Sequence, residues 1–280
     1  MRPLPRPRPP TPGEPLVRPN TLRDAWKSGK KTVNGWLGIP SSVSAEAMAQ
    51  GGWDSITVDC QHGPIDFQAG VACFQAIAPY ASVPLARVPW LEPGIIMKML
   101  DAGAYGIICP MVNTREEAER FVGACRYFPA GYRSFGPTRV SWYAGGDYYQ
   151  HANASILTLA MIETKQALSN LDAILSVPGL DGVYVGPADL AITLGEAPVG
   201  DPTSAVTLSA IKEIVTKTKA KGLFAGIHTA SAEGARDKTA MGFDFATILA
   251  DTALLANAAK AAVSGFRGTT AGPAKAGGPY

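Results

Sequence analysis

Residues 156–163 read ILTLAMIE, a run that is apolar except for Thr158 and then ends in Glu163. A strand with one solvated face alternates apolar and polar side chains. A continuously apolar run belongs instead to a strand buried on both faces, as in a parallel sheet covered by helices. Seven other stretches share this character: TVNGWLGI (32–39), DSITVDC (54–60), PLARVP (84–89), YGIICPMV (105–112), GVYVGP (182–187), LFAGIHT (223–229) and FDFATILA (243–250). Helical segments lie between them. In NTREEAERFVGACRYF, Thr114 precedes acidic residues in the first turn, and Phe121, Val122 and Cys125 share one side. SAVTLSAIKEIVTKTKAKG gathers lysines at its end and closes on Gly222, which suits a helix C-terminus. Eight strands alternating with helices over about 230 residues fit an α/β fold of the (β/α)8 TIM-barrel type, with a parallel eight-stranded core. A doubly wound open sheet is the competing architecture, but no GxGxxG follows the first strand.

The chain has 280 residues, 46% of them hydrophobic and 17% charged, enough apolar material for one large core. Of the net charge of +2, the first twenty residues carry +3 and the remainder −1. No basic face marks a nucleic-acid partner, and no charge run or apolar stretch of about 18 residues marks a membrane. The opening MRPLPRPRPPTPGEP lacks the apolar core of a secretory signal and is expected to be a solvated Pro/Arg-rich tail. The chain therefore divides into a tail (1–20), a barrel (21–265) and a short C-terminal tail (266–280). Its four cysteines form no CxxC pair, and Cys60, Cys73 and Cys109 sit in apolar surroundings, so reduced thiols in the cytoplasm are expected. One connection, PAGYRSFGPTRVSWYAGGDYYQHANAS (129–155), is long for a compact domain and is expected to form a lid or a subunit contact.

Barrel enzymes place their chemistry on the loops that leave the C-terminal ends of the strands. That rule gathers Asp59 and His62 after strand two, Arg87 on strand three, Glu163 after strand five and Asp189 after strand six. Asp101 lies at the end of the helix that follows strand three. Neighbouring strands are about 4.8 Å apart, so Glu163 and Asp189 can share a cation. Two carboxylates without a thiolate or imidazole cluster suit Mg²⁺ or Mn²⁺. Arg87 sits inside an apolar strand and needs an anion there: a substrate carboxylate or enolate, Asp59 or Asp101. Asp59 is expected to hold one ring nitrogen of His62, leaving the other as a general base. Cys60, by strand alternation, turns away from Asp59 into packing. Lys165 is a weak Schiff-base candidate, and His228 either lines the mouth or caps a loop.

The stretches DCQHG, RVPW, KMLDAGAYGIICPMVNTREEA, MIET with ALSNLDAIL, and GLDGVYVGPADLAITLG occur in this order between about Leu22 and Ala262. Together they resemble the HpcH/HpaI aldolase family, the metal-dependent class II pyruvate aldolases. The resemblance implies that His62 is the catalytic base with Asp59 as partner, and that Arg87 stabilises the enolate. It implies that Asp101 raises the basicity of the histidine and that Glu163 and Asp189 hold the metal, with Co²⁺ a further candidate ion. It also implies that Ala188 touches substrate through its backbone, and that the chain forms a homo-oligomer, a hexamer or trimer. Two positions depart from the family pattern. Met161 replaces a glutamine that contacts substrate, and Gln61 replaces a frequent glutamate. The expected reaction is cleavage of 4-hydroxy-2-oxo acids to pyruvate, or a related 2-oxo acid, and an aldehyde. The alternatives are an acyl-CoA lyase of the citrate-lyase or malyl-CoA-lyase type and a barrel that binds a 2-oxo acid without turning it over.

Overall fold

A computed structural model describes residues 17–269. All eight expected strands form: β1 (Thr32–Leu37), β2 (Ser55–Asp59), β3 (Val83–Arg87), β4 (Gly106–Cys109), β5 (Leu157–Ile162), β6 (Gly182–Val185), β7 (Phe224–Thr229) and β8 (Phe245–Ala250). They close in sequence order into one parallel barrel, with β8 pairing back onto β1. The apolar run ending at Glu163 supplies β5, buried at every position.

Helix α1 (Thr21–Lys27) precedes β1, and α2 (Ser42–Ala49), α3 (Phe67–Ile77), α4 (Pro93–Ala102) and α5 (Arg115–Cys125) follow the first four strands in turn. The long connection before β5 folds into two short helices, α6 (Thr138–Ala144) and α7 (Tyr148–Ser155). Neither has enough turns for its periodicity to stand out in the sequence. Buried Val140, Ala144 and Tyr148 nevertheless fasten the segment to the barrel wall. The remaining helices are α8 (Lys165–Ser169), α9 (Leu171–Leu175), α10 (Pro187–Thr193), α11 (Ala205–Ala220), α12 (Ala232–Met241) and α13 (Asp251–Phe266).

The turns from strand to helix are fixed by side-chain caps. Ser41, Asp66, Glu92, Thr114, Thr164, Ser204 and Ser231 each accept a backbone N–H from the first turn that follows. Such a cap contributes about 1 kcal/mol, so the loops that precede these helices are held from the helix side. Thr114 and Glu117 form the full reciprocal capping box.

The barrel interior carries a polar ladder. The Asn34 amide donates to Thr57 Oγ1 (3.0 Å) and Thr247 Oγ1 (2.8 Å) and accepts from Ser55 Oγ (2.8 Å). Thr247 Oγ1 lies 2.6 Å from the Tyr184 hydroxyl. Each buried polar group here has a partner, so the ladder costs little and fixes side-chain orientation up to the mouth.

Two residues of the expected tail, Arg18 and Asn20, bond to other elements. Arg18 donates from Nη1 and Nη2 to the carbonyls of Ala78 and Tyr80, both at 3.0 Å. Asn20 caps α1 and donates to the carbonyls of Tyr105 and Ser155. Arg18 and Asn20 thus supply donors to carbonyls at the ends of other elements. Residues 1–16 and 270–280, which hold most of the two expected tails, lie outside the described residues. Among the described residues no helix is long and apolar enough to cross a membrane.

Candidate active site

Strands β2 and β3 pair with Asp59 opposite Arg87. The Arg87 guanidinium, only 1% exposed, donates from Nε to Asp59 Oδ1 (2.8 Å) and from Nη2 to Oδ2 (2.6 Å). Its flat face lies on the Trp36 ring, 4.7 Å from the centroid, while the Trp36 indole N–H donates to Asp59 Oδ2 at 3.2 Å. Burial alone would raise the Asp59 carboxyl. The charge and hydrogen bond of Arg87, helped by Gln61 and Trp36, outweigh it and hold Asp59 below the usual carboxylate range.

Beside the expected pairing with the His62 ring, Asp59 also has contacts with the main chain of this loop. The carboxylate reaches this loop through the main chain, accepting the N–H groups of Gln61 (3.0 Å) and His62 (3.5 Å). A guanidinium in direct register takes both carboxylate oxygens in its fork, so the carboxylate shapes the histidine's loop. His62 itself is exposed. Partial burial and then the Arg87 charge lower its pKa, while Asp59 and Asp189 oppose the shift. The shift favours the neutral imidazole, the form a proton acceptor needs.

Glu163 follows β5 and is 2% exposed. Its Oε1 accepts the Met111 N–H at 2.7 Å, and Met111 makes this contact from a left-handed backbone with φ of 55°. Its Oε2 lies against Gly186 at the end of β6, where a Cβ would come within 2.5 Å of that oxygen. Burial lifts the Glu163 carboxyl to about 7 against the Met111 hydrogen bond; Asp189 adds to the rise and Arg87 opposes it. A buried carboxylate with a second carboxylate acting on it, on the first turn of α10, is the charge pattern that a cation relieves. Among the described residues no group of three or more His, Cys, Asp or Glu could hold an ion. Two oxygen donors with the rest of the coordination sphere open fit a hard divalent ion, not a closed structural zinc site.

A narrow pocket runs beside these groups, lined by Arg87, Met161, Tyr184, Gly186, Ala188 and His228 among others. His228 thus lines the mouth. Its Nδ1 is 3.2 Å from the Tyr184 hydroxyl, and its ring meets Trp36 edge to face at 5.0 Å. Burial, then Arg87, push its pKa down to about 3 against the opposing effect of Asp59.

The structure does not bring Asp101 to this rim within one chain. Helices run back against the strands, so the last turn of α4 lies at the opposite end of the barrel, where Asp101 binds Arg133 at 2.5 Å. Cys60 packs against the core, and burial, then the Asp59 charge, push its thiol up to about 12, so it is no nucleophile. Lys165 opens α8 in solvent and does not line the pocket. His151 on α7 approaches Asp147, at 3.4 Å. Sequence reasoning missed Trp36, Met111 and Tyr184. Trp36 and Tyr184 lie in apolar strands and read as core, and nothing in the sequence marks Met111 as left-handed.

The HpcH/HpaI aldolase/citrate lyase family profile matches residues 35–258. A hydroxypyruvate/pyruvate aldolase of Rhizorhabdus wittichii is 45% identical over 248 residues, covering 89% of this chain and 99% of that protein. A 4-hydroxy-2-oxo-heptane-1,7-dioate aldolase of Salmonella paratyphi B is 39% identical over 250 residues, 88% of this chain and 94% of that protein. Among solved structures, an HpcH/HpaI aldolase/citrate lyase family protein from Burkholderia cenocepacia superposes with a TM-score of 0.83 at 30% identity, covering 89% of this chain and 99% of that one.

Proposed function

The chain belongs to the HpcH/HpaI aldolase/citrate lyase family, and from that premise we propose that it is a class II aldolase, a carbon–carbon lyase. It cleaves 4-hydroxy-2-oxo acids to pyruvate, or a related 2-oxo acid, and an aldehyde. The observation that carries this reading is the convergence of one imidazole, one buried guanidinium and two carboxylates on one barrel rim beside a narrow pocket.

Glu163 and Asp189 would hold the divalent ion, Mg²⁺, Mn²⁺ or Co²⁺. When bound, that ion supplies Lewis-acid stabilisation of the 2-oxo oxygen. His62 accepts the proton of the substrate's 4-hydroxyl as the C3–C4 bond breaks. The bonding electrons pass to C3 and the 2-oxo oxygen, and Arg87, locked against Asp59 and Trp36, stabilises the enolate charge. The backbone at Ala188 and the side chain of Met161 bound the 2-oxo acid. Met161 supplies an apolar surface where an amide would supply a hydrogen bond, and this shifts substrate preference.

Asp101 acts on His62 only from a second copy of the chain, since it lies at the far end of its own barrel. Helix α13 favours such an assembly. Only Asp251 of its sixteen residues is buried, while Leu255 and Phe266 are 64% and 94% exposed. A homo-oligomer, trimeric or hexameric, covers this apolar helix. Four free cysteines, three of them buried, fit a reducing cytoplasm.

Removal of the base tests the reading. His62→Ala and Glu163→Ala are each expected to lower turnover about 10²-fold or more. Full turnover in both variants would overturn the assignment.

A further inference from the structure

His228 is absorbed by none of the roles above, yet it occupies a decisive place. Strands β3 and β7 stand opposite each other in the eight-stranded barrel, so Arg87 and His228 approach the mouth from facing walls. Both rest on Trp36, the guanidinium on the ring face at 4.7 Å and the imidazole edge to face at 5.0 Å. Tyr184 holds the imidazole through Nδ1, Thr247 bonds the Tyr184 hydroxyl, and Asn34 donates to Thr247 in turn. The ring is therefore fixed from within the barrel while it lines the pocket.

A 2-oxo acid gripped at Glu163, Asp189 and Arg87 uses its carboxylate and 2-oxo oxygens there. The substituent on C3 is then left to the remaining wall, which Tyr184 and His228 form. We infer that His228, held by Tyr184, is a specificity-determining residue that favours 2-oxo acids with a hydroxyl on C3 over pyruvate. The inference rests on the aldolase reading above. A hydroxyl both donates and accepts, so it meets the imidazole edge whichever ring nitrogen carries the proton, whereas a methyl group meets neither state. The depressed pKa keeps the imidazole neutral across the working range, so the contact does not depend on pH there. Sites built to bond a hydroxyl discriminate strongly against the analogue that lacks it. In the synthetic direction a C3 proton leaves, C3 bonds to the aldehyde carbon, and a proton is returned to the resulting alkoxide. The C3 hydroxyl is a spectator that only the wall reads.

The test is a competition of hydroxypyruvate and pyruvate as donors to glycolaldehyde, with Mn²⁺, using the full-length wild type and H228L, H228N and Y184F. The ratio of kcat/KM for hydroxypyruvate to that for pyruvate is expected to fall about tenfold or more in H228L. A smaller fall is expected in Y184F and partial recovery in H228N, whose amide restores a polar edge. An unchanged ratio in H228L and Y184F, with turnover retained, overturns the assignment of His228 alone. Wild-type protein that turns over neither donor overturns the aldolase reading itself.

Discussion

Asp59 and Arg87 face each other in register at the ends of β2 and β3, and two hydrogen bonds of 2.8 and 2.6 Å join them inside the barrel mouth. Removing one partner leaves the other charge buried and unpaired, so Asp59→Ala is expected to cost about 3–5 kcal/mol in urea unfolding. Arg87→Lys keeps the charge and loses the fork, so it is expected to lose activity as well. The sign of the pH effect follows from the lowered Asp59 pKa. The pair stabilises fully above the ordinary carboxylate value of 3.8, and that stability is lost as pH falls through the lower folded value. A cost below about 1 kcal/mol for Asp59→Ala contradicts the pairing as the frame of the site.

His228 gives the opposite side of the same mouth a different signature. Its pKa is about 3 in the folded chain against an ordinary 6.5. Between those values the unfolded chain binds a proton that the folded chain refuses, so this group removes stability as pH falls below 6.5, by about 1.4 kcal/mol per unit. H228N lacks that linkage. Urea unfolding at pH 7, 6 and 5 is expected to show the wild-type advantage over H228N shrinking with each step, and a constant difference contradicts the buried neutral imidazole.

Met111 reaches Glu163 from a φ of 55°, a conformation that costs a side-chain-bearing residue about 1 kcal/mol and glycine almost nothing. Met111→Gly keeps the N–H on Glu163, so stability is expected within about 1 kcal/mol of the parent, with Mn²⁺ affinity retained. Met111→Pro deletes the donor and, because proline cannot adopt this φ, also shifts the loop, so it is expected to lower stability and weaken Mn²⁺ binding in calorimetric titration together. Equal weakening in both variants would show that the hydrogen bond has no part in holding the carboxylate.

Leu255 and Val263 are exposed on α13. Surface charges there cost a single barrel little, within about 0.5 kcal/mol each. Leu255→Asp combined with Val263→Asp is therefore expected to lower the mass measured by light scattering while leaving the barrel folded. An unchanged oligomer mass places the subunit contact elsewhere.

The fold was legible because parallel strands buried on both faces leave long apolar runs, and β5 or β8 could be little else. Residues at the rim were legible where polarity broke such a run, as Arg87 and Glu163 do. What escaped was pairing across strands. That Arg87 takes both oxygens of Asp59, while the carboxylate also accepts the His62 main-chain N–H, depends on the β2–β3 register, which the sequence does not state. Asp101 was drawn to the histidine by resemblance, whereas chain direction sends it to the other end of the barrel and onto Arg133. Helices α6 and α7 were hidden because seven and eight residues are too few to set a period against loop composition. Trp36 and Tyr184 looked like core because they are core, and they act on the site from there.

The central claim is best tested by a retro-aldol screen of 4-hydroxy-2-oxo acids with pyruvate release as the readout, run with Mg²⁺, Mn²⁺ or EDTA. The account predicts pyruvate from at least one such acid with either metal, no release in EDTA, and no trapping of substrate on the chain by borohydride. Release that persists in EDTA, with a borohydride-trapped adduct, would contradict it and move the chemistry to a lysine.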